Sequence, residues 1–258
     1  MIPGLRTLKN LLETALAPVG STMYIYGGGW NEADDGAGED AVSIGVAPQW
    51  RDFFSLQKAN YDFHHHHDRR DGLDCSGYVG WVLYNVFRKE SGGEGYVLPS
   101  AEMAKTFAAY GWGTYLPAKE VGDYCPGDLM SSKERHVYIV LGACADGSVL
   151  LLHASPPGVM LSGTVTPAGE TESNAVSLAE YYLKTYYPAW YEKFPACGRG
   201  LSYLTEYDQL RWDLGGVLKD PEGYRFLPPP LLLADLFKNK KYSLVEPDIV
   251  HDKRPYLW

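Results

Sequence analysis

The sequence predicts an α+β fold in which a buried helix packs on an antiparallel sheet. Two stretches carry this. "CSGYVGWVLYNVF" is apolar on nearly every helical face: Val79, Val82, Leu83 and Val86 fall at the helical repeat, and Trp81, Tyr84 and Phe87 cover the other sides. A helix of that kind belongs inside a core. Further on, "HVYIVLG" and "SVLLLHA" are rich in β-branched and apolar residues, with only "ACADG" between them. So short a link makes them partners in a hairpin.

The elements follow in chain order. Residues 5–17 read as an amphipathic helix, with Leu5, Leu8, Leu11, Leu12, Ala15 and Leu16 on one face and Pro18 and Gly20 as its stop. "YIYGGGW" is an aromatic strand or turn. Residues 31–70 look irregular, acidic first in "NEADDGAGED" and histidine-rich later in "HHHHD". The buried helix follows Cys75 and ends at "ESGGEG". "PSAEMAKTFAAYG" is a second helix, with Ser100 as N-cap and Gly111 as stop. "PGDLM" is a turn entering a strand. After the hairpin, "SLAEYYLKTYYPAWYEKF" is helical or mixed. Beyond Cys197 the chain is rich in Pro, Tyr and Leu and yields no assignment. The whole reads as one domain over residues 1–258: a core of about 5–195, an insertion at 31–70 and a C-terminal extension at 197–258.

Composition narrows the function classes. The 258 residues suffice for a large core, and 20 Tyr and 7 Trp make aromatic packing prominent. A net charge of -9 argues against nucleic acid as the main partner, because phosphate binding needs clustered Lys and Arg. In the opening "MIPGLRTLKNLLETALAPVGS", Asn10 and Glu13 interrupt any apolar signal-peptide segment. No run is long enough for a transmembrane segment. The expected location is the cytoplasm, or outside the cell if a leader was removed.

Cys75 is the candidate nucleophile. It sits in the first turn of the buried helix, where unpaired backbone amides favour a thiolate and could receive an oxyanion. Gly72 and Gly77 beside it leave room for a substrate backbone. Free Cys is also among the most buried residue types, so a packing thiol stands as the other reading. A nucleophile needs a base. Outside the "HHHH" run the histidines are His136, His153 and His251.

His136 opens one hairpin strand and His153 closes the other. The strand period of two puts both on one face for either plausible register. A tight Asp146-Gly147 turn pairs His153 with Val140 and leaves His136 roughly 13 Å away at about 3.3 Å per residue. A longer loop sets His136 opposite His153. Only the longer loop lets one ring orient the other, so a catalytic pair predicts it. Two solvated strand-end histidines are the alternative.

Four stretches in this order resemble the NlpC-type cysteine peptidases, bacterial cell-wall endopeptidases with a minimal papain-like fold. "YIYGGG" resembles the tyrosine-bearing strand and "DGLDCSGYV" the nucleophile motif. "PGDLM" with "RHVYIVLG" resembles the base strand, and "LLHASPPGV" the strand of the third residue. The resemblance covers residues 5 to about 195. It implies Cys75 as nucleophile, His136 as general base and acid, and His153 as its orienting partner. It implies that Tyr24, Asp74 and Ser76 line the substrate pocket, where Asp74 and Tyr24 meet the free amine of a stem peptide. The implied substrate is a murein-derived peptide, cut after γ-D-glutamate and before diaminopimelate or lysine. No metal or organic cofactor is implied.

The chain departs from that pattern in three places. About forty residues separate the glycines from the cysteine motif, Tyr138 stands where the family has a small residue, and the tail after Cys197 has no counterpart. The insertion and Tyr138 are expected to narrow, reshape or cover the pocket. Alternative readings are an amidase or acyltransferase on the same fold, and a catalytically inactive binding module. "HHHHDRRD" lacks metal-ligand spacing and "NEADDGAGED" lacks that of a calcium loop, so both read as solvated loops. Cys125, Cys144 and Cys197 lack a histidine context and read as inert.

Overall fold

The computed structural model describes residues 1–88, 94–134 and 136–239. His251 and part of "ESGGEG" lie outside the described residues. The first helix, α1 (Leu8–Leu16), starts later than its apolar pattern suggests. Thr7 caps it by accepting from the Asn10 amide, and Leu5 stays outside and exposed. A two-residue strand, β1 (Met23–Tyr24), leads into the glycine turn. The stretch expected to be irregular contains a helix, α2 (Pro48–Leu56). Trp50 is its one fully buried residue, set edge-on to Trp81 at 5.7 Å, and Phe53 and Phe54, three and four residues on, pack half-buried against the core to make a short apolar stripe.

Next come β2 (Gly72–Leu73) and the long buried helix α3 (Cys75–Phe87), as its all-round apolar character predicts. The second predicted helix, α4 (Met103–Ala109), begins after Glu102; Ser100 is therefore not its N-cap. Gly111, at φ +76°, does stop it. Strands β3 (Gly113–Leu116), β4 (Leu129–Ser132), β5 (His136–Ala143), β6 (Val149–Ser155) and β7 (Gly158–Thr164) follow. Helices α5 (Asn174–Tyr186) and α6 (Pro188–Lys193) divide the mixed aromatic stretch at Pro188. The unassigned tail supplies β8 (Gly198–Arg199), α7 (Ser202–Thr205), β9 (Tyr207–Trp212) and α8 (Pro229–Phe237).

The architecture is α+β. Nine strands form one sheet in the order β2-β1-β7-β6-β5-β4-β9-β3, with β8 beside β7. All pairings are antiparallel except β1 with β2 and β7 with β8. One sheet face carries Val137, Ile139, Leu150 and Leu152 into the main core with α1 and α3. The other carries Tyr138, Val140, Val149 and Leu151 into a smaller cluster closed by Tyr203 and Leu204 of α7 and by Tyr207. Among the described residues no helix is long and apolar enough to cross a membrane.

The hairpin of β5 and β6 adopts neither expected register. Its turn is tight: the Cys144 amide donates to the Ser148 carbonyl, and Gly147 takes φ +77°. The ladder then slips between Val140 and Gly142, so that Ile139 faces Leu152. Carried on, that register sets His153 level with Tyr138 and diagonal to His136. The shared face holds, but the longer loop is not needed, because diagonal neighbours are within reach of ring side chains.

The glycine turn after β1 packs backbone on backbone against the start of α3. A Cβ on Gly77 would run into the Gly28 carbonyl, and one on Gly72 into the Met23 carbonyl. The room these glycines leave is filled by the chain itself, not by a substrate backbone.

Candidate active site

The cysteine half is built at the start of α3. Asp74 caps the helix: its Oδ1 accepts from the Gly77 amide at 2.7 Å and from the Ser76 hydroxyl at 2.8 Å, and its Oδ2 accepts from the Gly27 amide at 3.2 Å. Trp30 Nε1 in turn donates to Ser76 Oγ at 2.9 Å. Burial pushes the Asp74 carboxyl up to about 6, against the pull of those three donors. Cys75 is only 6% exposed. Burial, and then the neighbouring Asp74 charge, push its thiol up to about 12. The Val137 and Ser76 amides and the Ser100 side chain pull the other way without prevailing. The lowering expected from the helix N-terminus is present in the Ser76 amide, but burial and the Asp74 charge outweigh it. Tyr24 completes this half. Its hydroxyl is pushed above its ordinary value by burial first and then by Cys75 and Asp74.

The histidine half lies at the open end of the hairpin. His136 Nε2 and His153 Nδ1 are 2.9 Å apart. His153 is fully buried, and its Nε2 lies 3.0 Å from Ser162 Oγ and accepts from Arg199 Nε at 3.1 Å. Burial first, then the Arg199 charge, lower the His136 imidazole to about 3. Burial, Arg199 and His136 hold His153 well below the ordinary range. The Tyr203 ring packs edge-on to both histidines at 5.7 and 5.9 Å, and Tyr207 lies 6.3 Å from His136.

The halves meet at the start of β5. The Val137 amide, next in the chain to His136, is one of the groups acting on the Cys75 sulfur. The Tyr203 and Tyr207 hydroxyls, raised chiefly by burial, also feel Cys75.

A cavity of about 500 Å³ opens over Cys75, Asp74, Ser76 and Tyr24, with Trp30, Asp34, Ser100, Glu102 and Lys133 around it. Asp34 comes from the 31–70 segment and is held by Arg69 at 2.6 Å, while Tyr61 of the same segment donates to the Tyr24 carbonyl at 2.8 Å. The segment thus forms part of the pocket wall. Tyr138 is not among the lining residues: it is fully buried on the sheet face that carries the histidines, donates to the Tyr203 carbonyl at 2.6 Å and stacks on that ring at 5.5 Å. A larger cavity of about 980 Å³ lies within the segment across Trp30, lined by Asp40, His67 and Arg70 among others, and does not reach Cys75.

The structure gathers Tyr24, Asp74, Cys75 and Ser76 around one cavity and pairs His136 with His153 at the hairpin, and neither histidine lines that cavity. Sequence reasoning missed Arg199, Ser162, Tyr203 and Tyr207, and gave Ser100 a capping role in place of its position beside the sulfur. No motif marks the tail residues; only chain folding brings them to the histidines. In the "HHHH" run, His67 stacks on Tyr61 at 5.1 Å, and among the described residues no three His, Cys, Asp or Glu side chains converge as metal ligands. All four cysteines are free thiols, and burial raises the pKa of Cys125, Cys144 and Cys197.

No family model matches the chain, and no curated protein or solved structure matches it.

Proposed function

We propose that the chain is a cysteine peptidase of the NlpC type, with a papain-like core, that hydrolyses murein-derived stem peptides at the bond between γ-D-glutamate and diaminopimelate or lysine. The observation that carries this reading is the 2.9 Å contact between His136 and His153, set at a strand start whose next amide faces the sulfur of a helix-N-terminal cysteine. Cys75 attacks the scissile carbonyl after its proton passes to His136. His136 then protonates the leaving amine, and His153 holds the ring in place. Water releases the acyl group, returning a proton through His136 to the sulfur. Asp74, with Tyr24 and Ser76 beside it in the pocket, suits the free ammonium of a stem peptide, and Asp34 and Glu102 add to the acidic lining.

Digestion of soluble muropeptides followed by mass spectrometry tests the reading. The expected products end in γ-D-glutamate and begin with diaminopimelate or lysine. Intact peptides, with turnover of other acyl substrates, would leave an amidase or acyltransferase on the same residues.

A second reading, a binding module without turnover, is favoured by one observation: the thiol is raised and the imidazole lowered, so the resting pair is uncharged. Iodoacetamide separates the two. A peptidase labels at Cys75 faster than at Cys125 or Cys144 near neutral pH; a binding module shows no such preference.

A further inference from the structure

We infer that Arg199 is a positioning residue that fixes the proton arrangement of the histidine pair, making His153 a donor to His136 rather than an acceptor from it. The inference rests on the proposed Cys75–His136–His153 reading and adds a residue to it.

The argument is one of donors and acceptors. A guanidinium has only N–H donors. Arg199 Nε donates to His153 Nε2 at 3.1 Å, so that nitrogen carries no proton. A neutral His153 then holds its proton on Nδ1, where it can only donate across 2.9 Å to His136 Nε2. His136 Nε2 therefore accepts, and neutral His136 keeps its own proton on Nδ1, the nitrogen that the proposed reading assigns to Cys75. On that reading the resting His136 offers a proton toward the sulfur. It becomes a base at Nδ1 only when the Arg199–His153 bond opens and the pair reverses. Ser162 cannot impose this order, because a hydroxyl can donate or accept at 3.0 Å.

Every neighbour agrees with Arg199 as the controlling charge. Tyr203 of α7 and Tyr207 of β9 face the rings with neutral phenols, Ser162 of β7 is neutral, and Cys75 of α3 is a raised thiol. Among the described residues no carboxylate bonds either histidine or pairs with Arg199; its remaining contacts are the Gly198 carbonyl at 2.8 Å and Met160 Sδ at 2.8 Å. A half-buried cation with no carboxylate beside it among the described residues bears directly on the nearest titratable groups, and after burial it is the next cause lowering both histidines.

Nitrogen-15 NMR of the imidazoles in the full chain, with signals assigned through single-histidine substitutions, reads the arrangement without any substrate. Wild type is expected to show His153 and His136 both protonated at Nδ1 near neutral pH. R199M is expected to move both protons to Nε2 and to raise the pH at which His136 titrates. S162A is expected to leave the wild-type arrangement in place. His153 protonated at Nε2 in wild type would overturn the inference even if R199M failed to fold. So would an unchanged arrangement in R199M, or a reversal in S162A. The muropeptide digest is independent of these spectra, so failure of the peptidase reading and failure of this one are told apart.

Discussion

The cysteine half and the histidine half of the site differ in where their neighbours come from. Around Cys75 most are local in the sequence or belong to the glycine turn, namely Asp74, Ser76, and Gly27 to Trp30, with only Ser100 and the Val137 amide added from further on. Around the histidines they are distant, with Arg199, Tyr203 and Tyr207 arriving from a tail some fifty residues on. The electrostatics differ in sign as well. After burial, which is the larger cause in both, an anion, Asp74, opposes the thiolate in one half and a cation, Arg199, opposes the imidazolium in the other. Each half discourages one partner of the thiolate–imidazolium pair, so the resting site is neutral. On the proposed peptidase reading, the ammonium group of a stem peptide offsets Asp74 and favours the thiolate, coupling substrate binding to activation.

The largest expected effect treats both halves as one machine. C75A and H136A should each reduce turnover of a cleavable muropeptide by on the order of 10³-fold or more, while leaving the far-ultraviolet circular dichroism intact. Full turnover in either variant would exclude the proposed chemistry.

Next in size is a break confined to the cysteine half. G77A places a methyl group against the Gly28 carbonyl, backbone against backbone, where no side chain can give way. The expected cost is about 3 kcal/mol or more in urea unfolding. The helix-favouring effect of Ala, roughly 1 kcal/mol, cannot offset it. A stable G77A protein would mean that the glycine turn does not seat on α3.

That contrast also explains what could be read in advance. α3 was legible because an all-round apolar helix has no other place to go. The shared face of His136 and His153 was legible because strand parity survives a change of register by two residues. The register itself was not, since the slip between Val140 and Gly142 follows from packing, not from the turn residues. β9 was not legible because it lacks the apolar alternation of a strand. It sits between β4 and β3 with Asp208 bound to the Tyr115 hydroxyl, Gln209 to the Asp123 carbonyl, and Arg211 to Asp123 and Asp128. Its polar side chains find these partners only once the sheet exists, and Tyr207, which it carries to the site, stays hidden with it.

A smaller and more selective effect comes from D74N. A carboxyl raised to about 6 favours the folded state when protonated, so its contribution is complete below its unfolded value of about 4. It is lost as pH rises through about 6. D74N should flatten that fall in stability between pH 4 and 6, at little cost to the helix because Asn also caps. It should also move the midpoint of Cys75 alkylation to lower pH by removing the anion that opposes the thiolate. An unmoved midpoint would mean that burial alone raises the thiol.

The finest test asks whether the halves are separable at all. Y138F removes one hydroxyl, the donor to the Tyr203 carbonyl at 2.6 Å, and leaves the stacked ring in place. One lost hydrogen bond should cost about 0.5–1.5 kcal/mol in chemical denaturation. The consequence should fall on the histidine half. Tyr203 covers both imidazoles, so loosening it admits water, relieves part of the burial that lowers His136, and moves its titration upward. Cys75 is raised by its own burial and by Asp74, neither of which touches Tyr138, so its alkylation profile should stay where it is. A shift of equal size at Cys75 would show that the tail governs both halves. Tyr138 and the tail, two separate departures from the family pattern in the sequence, would then act as one lid over the whole site instead of a support for the histidines.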